Sequence, residues 1–352
     1  MVVNRIELPP GPHNDDPNVI RFAASAFKPL GPNQPRLHHF IPKSFLKHFA
    51  DDEKRVDDKR IVTIRLDEPD KPRTGTVRTT AAIKDFYTSN LKLLGDSVAF
   101  EVLLGDVDGA GVDPIKRLIA GYFMPPTTAD REHLATWLAF LYVRGPHPRR
   151  QMEAINDLAF QQALTARTKE AKDLRRSAHG LKIKVVRHHN DYLAQMAELA
   201  RAIHDLLIDR RFTVLQFPSD GLILSDHPIT LDNREQTALR GIGVANADEI
   251  WLPLNRRTAL LLHSYEEIPE QAMLSPFTIE DMNRRTIRQS FDEIYCHPDD
   301  VSNATAALIT AELNQPLLMT DTRNASTDVD GVNTPPRRKR PNRYRFSDDP
   351  RR

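Results

Sequence analysis

Arg36-Leu37-His38-His39-Phe40-Ile41-Pro42-Lys43-Ser44-Phe45-Leu46-Lys47-His48-Phe49 packs three histidines and two lysines around one proline. Pro42 has no N–H to lose at a first helical position, and it pushes Ile41 toward extended backbone. The stretch therefore reads as an extended entry followed by a short helix from Pro42 to Phe49. Phe45, Leu46 and Phe49 make its apolar stripe, leaving Lys43, Lys47 and His48 mostly off it. In an extended run His38 and His39 point to opposite sides, so at most one faces the core. Two imidazoles beside a lysine suit anion binding, metal ligation or proton transfer near neutral pH. Against this stands the plain alternative of one hydrogen-bonded core histidine and one at the surface, since no third ligand sits at a zinc spacing.

Outward from this stretch, the N-terminal side is rich in breakers, with Pro9-Pro10-Gly11-Pro12 and Gly31-Pro32-Asn33-Gln34-Pro35. Residues 1–34 are read as a flexible arm, 35–314 as one domain, and 315–352 as a disordered basic tail. On the C-terminal side, Ile61 to Leu66 alternates as a strand, Asp67 to Gly75 is a turn cluster, and Thr76 to Lys84 is a returning strand. Helical spacing then appears in Ser97 to Leu104 and Pro114 to Tyr122. The glycines and aspartates from Gly105 to Gly111 lack calcium-loop spacing and read as a connector. Thr127, with Asp130 three on, opens the clearest helix, whose face is Leu134, Trp137, Leu138, Leu141 and Tyr142 and whose end is Arg144 before Gly145-Pro146. Arg150 to Ala178 and Asp191 to Asp209 are further helices, the first with Ile155, Leu158 and Leu164 inward. A second histidine pair, His188-His189, precedes Asn190, a plausible N-cap.

The period then changes. Phe212 to Phe217 and Leu222 to Ser225, joined by Pro218-Ser219-Asp220-Gly221, read as a β-hairpin that empties into Ser225-Asp226-His227-Pro228. An Asp beside a His at a strand end can orient an imidazole or bind a cation, or simply cap the turn. Trp251 to Leu254 and Thr258 to His263 extend the same small sheet. Thr278 opens a helix with Met282, Ile287, Phe291 and Ile294 inward, and a last helix runs from Asp300 to Leu313. The fold class read from this order is α+β, predominantly α-helical with a small, mostly antiparallel β-sheet.

Bulk composition is neutral. Lys plus Arg number 49 against 48 for Asp plus Glu, a formal charge of +1, so any nucleic-acid surface must be local. The single cysteine, Cys296, excludes an intramolecular disulfide framework and reads as an inert thiol. The N-terminus lacks a basic-then-apolar leader and no run is long enough to span a bilayer, so a cytoplasmic location without membrane partners is expected. The basic tail places Arg337, Arg338, Lys339, Arg340, Arg343, Tyr344 and Arg345 together. Cations interleaved with an aromatic suit phosphate contacts plus base stacking, with a solubilising tail as the alternative.

His38-His39-Phe40-Ile41-Pro42, with Phe45-Leu46 and Phe49, resembles the opening signature of an uncharacterised microbial family, domain of unknown function 4238. The resemblance continues through Phe86-Tyr87, Glu101, Arg144-Gly145-Pro146, Ser225-Asp226-His227-Pro228, Leu252-Pro253-Leu254, and Asn283 ahead of Tyr295. It departs at His227, where the family usually carries Asn, and downstream of Glu101, where a second helix glutamate is missing or replaced by aspartate. The resemblance implies a shared fold and site without an established activity. The first motif is also similar to that of HNH-type nucleases, in which a histidine activates water beside a metal. Between Phe49 and Leu104, however, there is no histidine, and the only asparagine is Asn90.

The functional expectation is a protein acting on a phosphate-bearing substrate, in the manner of a nuclease-like hydrolase. His38, His39 and Asp226 are the candidate catalytic residues, and Lys43, Arg144, His227 and Asn283 the candidate substrate-binding ones. Whether a divalent metal takes part stays open, as does the oligomeric state. The competing expectation is a non-catalytic module that binds nucleic acid or a protein, in a setting such as phage defence. The catalytic reading requires the early imidazole pair and the later Asp226 corner to share one polar cavity.

Overall fold

The computed structural model describes residues 4–7, 28–31, 34–53, 55–91, 95–121, 127–165, 169, 172–173, 183–186, 189–233, 242–268 and 270–313. The basic tail and most of the N-terminal arm lie outside these residues.

Helix α1 (Lys43–Leu46) and a 3-10 turn (Lys47–Phe49) follow Pro42. The long helices are α2 (Ala99–Ile119), α3 (Thr128–Val143), α4 (Pro146–Thr165) and α5 (His189–Leu207). Near the end come α6 (Ile279–Gln289) and α7 (Val301–Leu313). Thr127 caps α3 by accepting the Asp130 N–H, and Thr278 caps α6 in a reciprocal box with Asp281. Helix α3 buries Leu134, Ala135, Trp137, Leu138, Ala139, Phe140, Leu141 and Val143. With α2 on one side and α5 on the other, it is the central rod of the main core.

The strands correct the fold class. Among the described residues they form a five-stranded sheet, a four-stranded sheet and three two-stranded ribbons, one of them β6 (Ser89–Leu91) with β7 (Gly95–Ser97), so the fold is mixed α/β rather than mainly helical with one small sheet. The larger sheet orders β11 (Thr230–Asp232), β12 (Glu249–Asn255), β13 (Thr258–His263), β9 (Arg211–Gln216) and β14 (Ala272–Leu274), with only the β9/β14 pair parallel. Leu260 and Leu262 pack into the main core and Ala259 and Leu261 into a second cluster, as strand alternation requires. Both faces are covered, which erases the polar half of the alternation in the sequence. The four-stranded antiparallel sheet orders β10 (Leu224–Ser225), β15 (Glu293–Cys296), β3 (Arg60–Arg65) and β4 (Glu68–Thr76).

Four local expectations change with it. The supposed turn cluster from Asp67 to Gly75 is mostly β4, an edge strand where charges and two prolines are tolerated because one side needs no ladder partner. The supposed hairpin after Phe217 is a crossover. Strand β9 pairs with β13, whereas β10 joins β15 in the other sheet. The expected inward residues Phe291 and Ile294 lie beyond α6, with Ile294 in β15. In α4, Ile155 and Leu158 face outward, 65% and 41% exposed.

The fifth change bears on function. The glycine-rich connector does not exist, because α2 runs unbroken from Ala99 to Ile119. At Gly111 an added Cβ would meet the Trp137 side chain at 2.7 Å, so glycine there lets α2 and α3 approach closely. Buried contacts of Leu104, Ile115 and Leu118 outweigh poor helix propensity. Of the arm, β1 (Asn4–Glu7) pairs in parallel with β8 (Ile183–Val186), and Leu30 donates its N–H to the Asp96 carbonyl. Among the described residues, no helix is long and apolar enough to cross a membrane.

Candidate functional site

Strand β2 (Leu37–His39) pairs antiparallel with β5 (Ala82–Lys84), setting His38 opposite Ile83. Asp85 then takes a left-handed backbone, φ 55°, a conformation that aspartate tolerates better than most residues. It is held there by Arg36, whose guanidinium donates to both carboxylate oxygens at 2.7 Å. This turn brings Tyr87 back over His38, with rings parallel and centroids 5.7 Å apart.

The Tyr87 N–H donates to His38 Nδ1 at 2.9 Å. In its neutral form His38 therefore carries its proton on Nε2. That nitrogen is buried, and the Pro35 carbonyl is near enough to favour its proton. Burial lowers the His38 pKa, against smaller upward pulls from Asp85 and the Pro35 carbonyl. Glu101, in the first turn of α2, brings a carboxylate oxygen to 4.0 Å from His38 Nδ1. Its side chain is 39% exposed and opens the cluster to solvent. Burial raises the Glu101 carboxyl to about 7, with Arg144 opposing and Asp108 reinforcing the rise.

Arg144, at the end of α3, closes the group from the far side. Its Nε donates to the Phe40 carbonyl and its Nη1 to Asp108, both at 2.9 Å. Its Nη2 is buried without a partner, and its own carbonyl accepts the Tyr87 hydroxyl at 2.8 Å. Asp108 is likewise raised by burial, with Arg144 opposing. Glu101 and Asp108 are seven residues apart, two turns of α2, which puts both carboxyls on the side facing Arg144. Two carboxyls, one guanidinium, one imidazole and one phenol thus form a compact group.

Other candidates are placed elsewhere. His39 lies on the opposite side of β2, where Nε2 donates to the Val77 carbonyl at 3.1 Å. Burial lowers its pKa, partly offset by that carbonyl. Lys43 is paired with Asp57 at 2.9 Å, and both are well exposed. Asp226 accepts backbone N–H groups from Phe291, Asp292 and Glu293 at 2.9, 2.7 and 3.3 Å. Burial raises its carboxyl to about 7, against the first two of those bonds. Asn283 accepts the Ile223 N–H at 3.1 Å and donates to the Gly221 carbonyl at 2.8 Å. Asp226 and Asn283 therefore clamp the crossover between the two sheets.

His227 packs against Tyr142, Phe291 and His147, with ring centroids 4.9, 5.6 and 6.0 Å away, and burial lowers its pKa to about 4. The end of α3 separates the two regions: Arg144 reaches toward His38, whereas Tyr142 faces His227. Among the described residues no hydrogen bond, ion pair or ring contact joins His38 or His39 to Asp226 or His227. Among the described residues, no three His, Cys, Asp or Glu side chains converge as metal ligands would. The nucleic-acid candidates of the tail lie outside the described residues.

Tyr87 and Glu101 are marked only by family resemblance, and Asp108 only as an aspartate in the glycine-rich stretch downstream of Glu101. The readable signal for the carboxyl pair is its seven-residue spacing, which a connector at the glycines would hide. Cys296 is buried and its thiol is raised to about 12 by burial, as an inert cysteine should be.

No curated protein and no solved structure matches the chain. The family model described as protein of unknown function, DUF4238, matches residues 37–300, which takes in every member of the His38 cluster, and the chain belongs to that family.

Proposed function

We propose that this chain is an acid–base hydrolase acting on a phosphate-bearing substrate, with its chemistry centred on Glu101. The observation that carries this reading is the partly exposed Glu101 carboxyl, held at about 7 beside a buried imidazole of fixed tautomer. A group of that pKa exchanges a proton in either direction at neutral pH. Ionised Glu101 takes a proton from water as the water oxygen bonds to phosphorus. The ester P–O bond breaks, and the leaving oxygen receives the same proton from Glu101. Behind Glu101, the buried His38 ring and the Arg144 guanidinium set the field that its carboxyl meets. Tyr87 and Asp108 act as positioning residues, the first fixing the His38 tautomer and the second orienting Arg144. This moves the role assigned to Asp226 onto Glu101, and that of His39 onto His38.

The test is hydrolysis of phosphomonoester, phosphodiester and oligonucleotide substrates, with and without added divalent cations. Glu101→Gln should lower kcat by about 10²- to 10⁴-fold while the protein stays folded. The wild-type rate should show an inflection near 7 that Glu101→Gln lacks. An unchanged rate and pH profile in Glu101→Gln sinks the acid–base role.

A further inference from the structure

The chain ahead of β2 meets the start of α2 twice. Lys28 to Leu30 lies antiparallel to β7, with Pro29 opposite Ser97. Leu30 donates its N–H to the Asp96 carbonyl at 3.1 Å, and the Lys28 carbonyl accepts the Val98 N–H at 2.9 Å. The chain then turns between Gly31 and Gln34. There the Gln34 N–H donates to the Gly31 carbonyl and the Gly31 N–H to the Gln34 side chain, each at 3.2 Å. Past Pro35 it becomes β2, whose His38 lies 4.0 Å from Glu101. One continuous stretch therefore holds α2 first at its entry and then at Glu101. We propose that Ser97 is a positioning residue for Glu101, fixing where the first turn of α2 presents that carboxyl, a role that rests on the hydrolase reading above.

Ser97 is buried where three elements meet. Its backbone pairs with Ser89 in the β6/β7 ribbon. Its Oγ accepts the Lys28 N–H and the Ala99 N–H, both at 3.3 Å. The second bond is a helix cap displaced by one residue. The N-cap of α2 is Val98, whose side chain has no oxygen, so the Ser97 hydroxyl supplies an acceptor that the first turn would otherwise lack.

The turn needs this tie. Val98, Phe100 and Val102 are mediocre helix formers, and Gly105 and Gly109 follow. Phe100 lies against the Tyr87 ring, centroids 5.9 Å apart, which directs the turn toward the His38 cluster. Anchored at Ser97 and at Tyr87, the first turn keeps Glu101 beside His38. With the Ser97 end released, it frays as helix ends do, and the carboxyl moves out to water. The charged groups bearing on Glu101 are His38 from β2, Arg144 from α3 and Asp108 on its own helix. Ser97→Ala replaces none of them, so a changed Glu101 titration in that variant reports a moved turn.

The full chain is compared as wild type, Ser97→Ala and Ser97→Thr. Carboxyl-carbon NMR reads the Glu101 pKa without turnover, and phosphodiester hydrolysis supplies the kinetics. In Ser97→Ala the Glu101 pKa should fall from about 7 to below about 6, and kcat should fall about tenfold at unchanged KM. Ser97→Thr, which keeps the hydroxyl, should restore both. A wild-type Glu101 pKa in folded Ser97→Ala, or the same fall in Ser97→Thr, overturns the positioning role. Hydrogen exchange on wild type decides the matter if Ser97→Ala does not fold: the Ala99 amide should be protected, and free exchange there overturns the cap. A pKa that falls in Ser97→Ala, in a protein that hydrolyses no phosphoester, upholds the tie between Ser97 and Glu101 and removes the hydrolase reading alone.

Discussion

Replacing Glu101 with glutamine should make the protein more stable at alkaline pH. The carboxyl is raised from 4.5 to about 7, mainly by burial. A shift of one pKa unit corresponds to about 1.4 kcal/mol. With 39% of the side chain exposed, solvent screens much of this, leaving about 1–2 kcal/mol. The sign follows from proton linkage. An acid whose pKa is raised by folding holds its proton more tightly in the folded state. Its contribution is therefore most favourable below 4.5, is lost as pH climbs through about 7, and is constant above that. Asp226 titrates in the same window in both proteins, so the difference between them isolates Glu101. Urea unfolding at about pH 5 and about pH 8 should show Glu101→Gln gaining about 1–2 kcal/mol on wild type between the two conditions. A difference that is the same at both pH values, or one that moves in favour of wild type as pH rises, refutes the claim that Glu101 sits in a desolvated place.

Three further substitutions test the frame around the site. Arg144→Met should destabilise the fold by about 3–5 kcal/mol, because it leaves Asp108 half-buried without its cation and the Phe40 carbonyl without a donor; a loss below about 1 kcal/mol in urea midpoint measurements counts against the pair as a structural tie. In α2 two glycine substitutions should have opposite signs. Gly111→Ala should cost about 1–3 kcal/mol by driving a methyl into Trp137. Gly105→Ala, with nothing within 4 Å of the new Cβ, should gain about 0.5–1 kcal/mol as helix propensity improves. If thermal melts show both variants neutral, an unbroken α2 is excluded.

The sequence was legible where a local rule and the tertiary environment agree. Pro42 starts its helix, Thr127 and Thr278 cap theirs, and His38 and His39 fall on opposite sides of an extended chain. It was illegible where packing overrides local preference. Strands β12 and β13 are covered on both faces and lose their alternation, while β4 is so charged that its edge position disguises it. Asp226 and Asn283 looked like site residues because polar groups at strand ends often act on ligands. Their carboxylate and amide are occupied with backbone groups two sheets must share, a tertiary demand that no short motif displays.

The glycines of α2 and the chemistry of the cluster turn out to be one problem. With Gly105 to Gly111 read as a loop, Glu101 and Asp108 belong to different elements and have no fixed relation. Once Trp137 is seen to need the space that only Gly111 leaves, α2 must be continuous, and a continuous helix fixes the two carboxyls on one side. Arg144, seven residues beyond Trp137 on α3, is then carried to Asp108 by the same contact that demanded the glycine. The close approach of two helices thus sets the distance between cation and carboxyls. Gly111→Ala should accordingly weaken the Arg144–Asp108 pair as well as the packing, and the proposed hydrolytic rate should fall further than the stability loss alone would produce. A Gly111→Ala protein that is destabilised yet reacts at the wild-type rate per folded molecule would separate the packing from the chemistry and break this chain of reasoning at its middle link.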